Sequence, residues 1–252
     1  MKNTTAATII IVCLIILGFA YHLSTRGAIT PADKGTLSQL VREILAEDPS
    51  IVTNALEIKQ KREREAMLEQ AKATVVADPK AYFGETKTLL GNPNGDIVIV
   101  EFMDYQCTYC KHMAPLLDEL IAKNPSAKVI IKNIAIFGEI SNYANLVALA
   151  AAQKGKFAEV HNALLASKEK LDKKSIDAIA AKAGIDKKEL EKLTSDAELA
   201  SKLKGNQELA VKTGVRGTPF YIFATAPFDE SKLVISPGAK NKEQLTQIIE
   251  EL

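Results

Sequence analysis

The stretch Ile97-Val98-Ile99-Val100-Glu101-Phe102-Met103-Asp104-Tyr105-Gln106-Cys107-Thr108-Tyr109-Cys110-Lys111 decides how the rest of the chain is read. Ile97 to Met103 is a β-branched, apolar run of the length of a strand buried on both faces. The cysteine pair follows at once. Met113, Leu116, Leu117, Leu120 and Ile121 then recur at helical spacing, and Val129-Ile130-Ile131 makes a second buried strand. Strand, CxxC, helix, strand is a βαβ unit, which implies parallel pairing and a right-handed crossover.

Two thiols at i and i+3 at the start of a helix lie on one face, one turn apart. Cys107 sits at the helix N-terminus, where unpaired N–H groups and the macrodipole favour a thiolate. The thiolate is the attacking species in disulfide exchange, so Cys107 reads as nucleophile and Cys110 as the thiol that resolves the mixed disulfide. The bland alternatives are half a zinc site or a structural pair. Zinc needs two more ligands; His112 reads as an ordinary helix residue and His161 as a surface one. No metal is expected, and no cofactor beyond a redox-active Cys107–Cys110 disulfide.

Upstream, Lys2 and small polar residues precede an apolar run from Ile9 to Ala20, with Gly18-Phe19-Ala20 as a small-x-small cleavage site. This is the pattern of a secretory leader, residues 1–20, or of an uncleaved anchor. Both export the remainder. Cys13 falls inside the run, so Cys107 and Cys110 are the cysteines left for chemistry after export. A single close pair is not the disulfide framework of a small secreted domain. The 32 basic and 31 acidic residues give a net charge of +1, and there is no Trp; neither points to nucleic acid.

Residues 21–35 read as a linker and 36–78 as a helical arm. Thr36 to Gln39 has the form of a capping box, Leu37, Leu40, Val41, Ile44 and Leu45 share a face, and Asp48-Pro49 breaks to a second helix reaching about Val76. Two such helices bury little by themselves, so the arm is expected to associate with a second copy of the chain. Gly91 to Gly95 is a turn cluster. From Ser141 to Thr213 the chain reads as four or five helices, with Gly155, Gly184 and Gly205 as helix ends. Phe220–Ala224 and Leu233–Ile235 form a strand pair, and Lys242–Leu252 a last helix. The fold class expected is α/β: residues 86–252 as a thioredoxin-like βαβ…ββα frame, with a helical insertion at about 141–213 and the helical arm before it.

Glu101 stands alone in the apolar strand. A buried carboxyl has a raised pKa and carries a proton near neutrality.

The run Glu101 to Lys111, together with Gly214-Val215-Arg216-Gly217-Thr218-Pro219, resembles the DsbA family of exported disulfide oxidoreductases, over roughly Gly91 to Leu252. The Leu37–Leu56 segment resembles the N-terminal extension of a subgroup that self-associates. The resemblance implies an exposed nucleophile at Cys107 and a buried partner at Cys110. It makes Thr218-Pro219 a cis-proline loop whose Thr218 backbone bonds an extended client chain. Glu101 becomes a proton shuttle for the buried thiol, and Pro115 a kink proline; Lys132, in the second strand, reads as the charge partner of Glu101. The sequence departs from the family in the dipeptide that tunes the pair. Thr108 stands where Pro is frequent, and Tyr109 where the strongest oxidants carry His, which implies a milder shift at Cys107. The implied activity is disulfide formation in exported, unfolded or partly folded proteins of the periplasm or cell envelope, with a membrane or periplasmic redox partner. The alternatives are a disulfide isomerase or reductase kept reduced, acting as a dimer, and an exported binding or chaperone-like protein with a structural CxxC.

Overall fold

A computed structural model describes residues 31–252; the leader or anchor expected at 1–20 lies outside the described residues. The chain divides into two compact units at Glu63/Arg64.

In the first unit, α1 (Pro31–Glu47) and the first half of α2 (Ser50–Ala77) are helical. The chain is already helical at Pro31, where the described residues begin, so Thr36 is internal to α1 and is not its N-cap; the expected linker is helical over 31–35. Asp48 accepts from Ser50 N at 3.0 Å and ends the break between the helices. Leu40, Val41, Ile44, Ile51, Val52 and Leu56 are exposed.

The second unit begins within α2. There Ala71 and Val75 are fully buried, and a short helix, α3 (Pro79–Phe83), follows. The sheet has five strands: β1 (Leu89–Gly91), β2 (Ile97–Met103), β3 (Ala127–Asn133), β4 (Phe220–Thr225) and β5 (Val234–Pro237). Its order is β1-β3-β2-β4-β5. Helix α4 (Thr108–Lys123) joins β2 to β3, which are parallel, and the other pairs are antiparallel. The three-residue β1 has too short a pattern to show in sequence and is recognised by its pairing with β3.

Alternation along β2 sorts the core. Ile99 and Met103 face one layer with Ile131, Tyr221, Phe223 and α4. Val98, Val100 and Phe102 face the other, with Ala71, Val75, Tyr82 and Ile222. The insertion consists of α5 (Glu139–Gln153), α6 (Phe157–Ala166), α7 (Lys173–Lys182), α8 (Lys187–Thr194) and α9 (Ala197–Thr213). Gly205 is internal to α9 rather than a helix end. The α9 stop is Gly214, at φ +80, a conformation that L side chains rarely adopt. Helix α10 (Lys242–Glu250) closes the chain under a capping box formed by Asn241 and Gln244.

Candidate active site

Cys107 is the N-cap of α4, and no side chain caps it. The sulfur therefore occupies the place where a capping oxygen would meet the free N–H groups of the first turn. Cys107 is 3% exposed and Cys110 is 1% exposed, and both are free thiols. Cys107, expected to be exposed, is thus covered. What covers it is the loop before β4: Thr218-Pro219 is cis, and Cys107 Sγ donates to Thr218 O at 3.2 Å.

The electrostatics divide the pair. Cys107 is pushed down to about 5, first by the hydrogen bond from Cys110; burial opposes this, and Thr218 and the first-turn N–H groups add to it. Cys110 is pushed far up by that same hydrogen bond, by burial and by the charge of Glu101. One thiol ionises easily and the other holds its proton. The main causes of the shift at Cys107 are Cys110, Thr218 and first-turn backbone N–H groups rather than the dipeptide side chains, and Tyr109 is 64% exposed. Thr218 Oγ1 is buried and has no partner while Cys107 keeps its proton; a thiolate at Cys107 gives it an acceptor.

Glu101 is 2% exposed on the Cys110 side of the sheet and accepts from Tyr221 OH at 3.0 Å. Burial pushes it up to about 8, with a pull down from Tyr221 and a further push from Cys107. Lys132 is not its partner. Lys132 stands opposite Phe102 in the β2–β3 register, while Glu101 stands opposite Ile131, so the two side chains leave opposite faces. Lys132 donates instead to Ala81 O at 2.9 Å.

Three residues escape notice in sequence. Asp104 is fully buried and accepts from Gln106 N (2.8 Å), Ile136 N (2.8 Å), Phe137 N (3.4 Å) and Ser141 Oγ (2.7 Å). It ties the active-site turn to the loop after β3 and to α5. Tyr105 OH pairs with His161 Nδ1 at 2.9 Å. His161 is 2% exposed, not a surface residue, and burial pushes it down to about 3. The signal was available: Phe157, Val160, His161 and Leu164 fall at i, i+3, i+4 and i+7, one face of α6.

Two grooves flank Cys107. Tyr109, the cis-proline loop and Met67 line one of about 460 Å³. Thr108, Lys111, His112 and the segment after α6 line the other, of about 800 Å³. The two dipeptide residues therefore face different grooves.

Residues 98–250 match the model of the DSBA-like thioredoxin domain family, well over half of the chain. Among solved structures, Proteus mirabilis ScsC in a transitional conformation is 28% identical, covering 89% of this chain and 96% of that one at TM-score 0.63. The thiol-disulfide exchange protein α-DsbA2 from Wolbachia pipientis is 26% identical, covering 74% and 97% at TM-score 0.65. A periplasmic thioredoxin-like protein from Salmonella enterica serovar Typhimurium is 28% identical, covering 68% and 93% at TM-score 0.60. A curated relative, the Na(+)/H(+) antiporter NhaA 3 of Salinispora tropica, is 25% identical over 134 residues, 52% of this chain. The match spans 20% of that antiporter's length. With the cysteine pair on its helix N-terminus and the cis-proline loop over it, the chain belongs to the DSBA-like thioredoxin domain family.

Proposed function

We propose that the protein is a thiol–disulfide oxidoreductase of the periplasm or cell envelope that donates the Cys107–Cys110 disulfide to exported client proteins. The observation that carries this is the split pair: Cys107 is held down to about 5 while Cys110 is held far up. A stabilised thiolate favours the dithiol, and so makes the disulfide form an oxidant. The apolar run Ile9–Ala20 supports export, as does the periplasmic relative.

A client thiolate attacks Cys107 Sγ in the disulfide. The client–Cys107 bond forms and Cys110 leaves as a thiolate, which takes a proton. Glu101, a carboxyl near 8 whose charge acts on Cys110, is suited to supply it. The client's second thiolate then attacks the client sulfur and releases Cys107 as a thiolate. The client gains a disulfide and the protein gains two electrons, which a membrane or periplasmic partner must remove. The backbone of Thr218 serves the extended client in strand-addition mode. The exposed face of α1 and the start of α2, including Leu40, Ile44 and Leu56, supports association with a second copy. It also keeps a dimeric isomerase as the second reading.

The test is the redox state of the pair in cells, by acid quench and thiol alkylation. A pair held mostly as disulfide supports the oxidase, and a pair held mostly as dithiol replaces it with the isomerase or reductase. If purified, reduced Cys107 resists alkylation at every pH, the redox reading fails.

A further inference from the structure

The proposed activity leaves open which client sequences are taken, and the smaller groove bears on that. Cys107 lies against Thr218, and Thr218 and Tyr109 both line this groove. A client sulfur bonded to Cys107 therefore delivers its flanking residues here. The floor and walls are apolar: Tyr109, Pro219 and Phe220 come from the thioredoxin frame, and Met67 comes from α2, the helix before it. Met67 belongs to the second unit, half-buried against the core, and a Cβ on Gly214 would lie 3.7 Å from its Cγ. Its unbranched thioether adapts to varied apolar shapes.

The rim carries one sign. Among the described residues lining the groove, Arg216 is the sole charged one. Just beyond it Lys240 Nζ donates to the groove carbonyls of Pro237 (2.7 Å) and Gly238 (3.2 Å). The larger groove differs: Asp118 and Glu169 line it together with its lysines, so it offers no single preference. An extended chain puts alternate side chains on opposite sides about every 3.3 Å. One residue near the client cysteine can thus point into the apolar groove while its neighbour reaches the rim.

Building on the oxidoreductase reading, we propose that Met67 and Arg216 set client choice, so that the groove takes cysteine-containing segments with an apolar residue next to an acidic one. The occupant is the extended client itself, because the groove is continuous with the sulfur that bonds it and its rim is complementary to an acid.

The experiment uses the full chain in its oxidised form and single-cysteine peptides differing at two flanking positions, Leu or Ser and Asp or Lys. The mixed disulfide to Cys107 is followed by the fluorescence of a peptide label, with dithiothreitol as a groove-independent thiol. Wild type should favour Leu over Ser by roughly tenfold, the scale of one buried apolar side chain. It should favour Asp over Lys by about threefold at low salt and less at high salt. Met67→Gln should bring the Leu/Ser ratio near one, and Met67→Leu should restore it. Arg216→Glu should invert the Asp/Lys ratio. Each ratio comes from one preparation, so partial misfolding cancels. Equal rates for all peptides in wild type, or a Leu/Ser ratio untouched by Met67→Gln, overturn the proposal while dithiothreitol exchange keeps the oxidoreductase reading. Failure of dithiothreitol as well removes both.

Discussion

Replacing Thr218 with valine separates what its hydroxyl does from what its backbone does. The carbonyl that accepts from Cys107 Sγ stays. The hydroxyl, buried and without a partner beside the protonated thiol, goes. In the thiol state this removes an unsatisfied polar group and should stabilise the fold by about 1 kcal/mol. In the thiolate state it removes one donor to a charged acceptor, which is worth roughly 1.5–3 kcal/mol, or about 1–2 pKa units. The groove mouth is open to water, so the lower end applies. Cys107 should therefore rise from about 5 to roughly 6, and the disulfide should become less oxidising by about 30 mV. The rate of iodoacetamide alkylation against pH reads the first, and equilibration with glutathione reads the second. If the alkylation midpoint moves by less than about 0.3 unit, well under the energy of one charged hydrogen bond, the Thr218 hydroxyl is not a donor and the thiolate rests on Cys110 and the helix alone.

Glu101→Gln should flatten one limb of the pH–stability profile. The carboxyl is raised from 4.5 to about 8 in the fold, so its share of stability is present below 4.5 and lost as pH rises through about 8, roughly 5 kcal/mol in all; urea melts from pH 4 to 9 would show it. His161→Gln should flatten the opposite limb. This ring is pushed from 6.5 down to about 3, so the unfolded chain takes the proton first and stability is lost as pH falls from 6.5, again by roughly 5 kcal/mol; a wild-type slope in acid surviving in the variant would contradict this. Lys132→Met should leave the Cys107 alkylation profile in place, because the side chain leaves the other face of the sheet. Loss of its hydrogen bond to Ala81 O should cost about 1–3 kcal/mol on thermal melting.

The cysteine pair and its helix were legible because they depend on local spacing. Cys107 and Cys110 on a helix start and an apolar strand before them are short patterns, while Thr218-Pro219, far along the chain, is marked only by the family resemblance. Strand partners are another matter. Glu101 and Lys132 look like a pair when both lie in adjacent strands, but the β2–β3 register sets Lys132 against Phe102. Register is a tertiary property, and a one-residue slip exchanges every face. Asp104 sits in the middle of the motif, yet its role depends on Ile136, Phe137 and Ser141 arriving from elsewhere. His161 differs again: the helical period sets it on the apolar face of α6 with Phe157, Val160 and Leu164, and its burial follows that period rather than its polarity. Thr36 shows that a capping pattern does not by itself begin a helix, because the helical stretch already runs through it.

Asp104 has a consequence for motion. One buried carboxyl group accepts from four donors in three segments, so the turn carrying Cys107 and the loop carrying the exposed Ile136 and Phe137 cannot drift apart without leaving buried polar groups unpaired. The backbone of this surface should tumble as one body on the nanosecond scale, with order parameters like those of the strands. Plasticity toward dissimilar clients then falls to rotamers: Met67 and Tyr109 re-pack while the frame beneath them holds still.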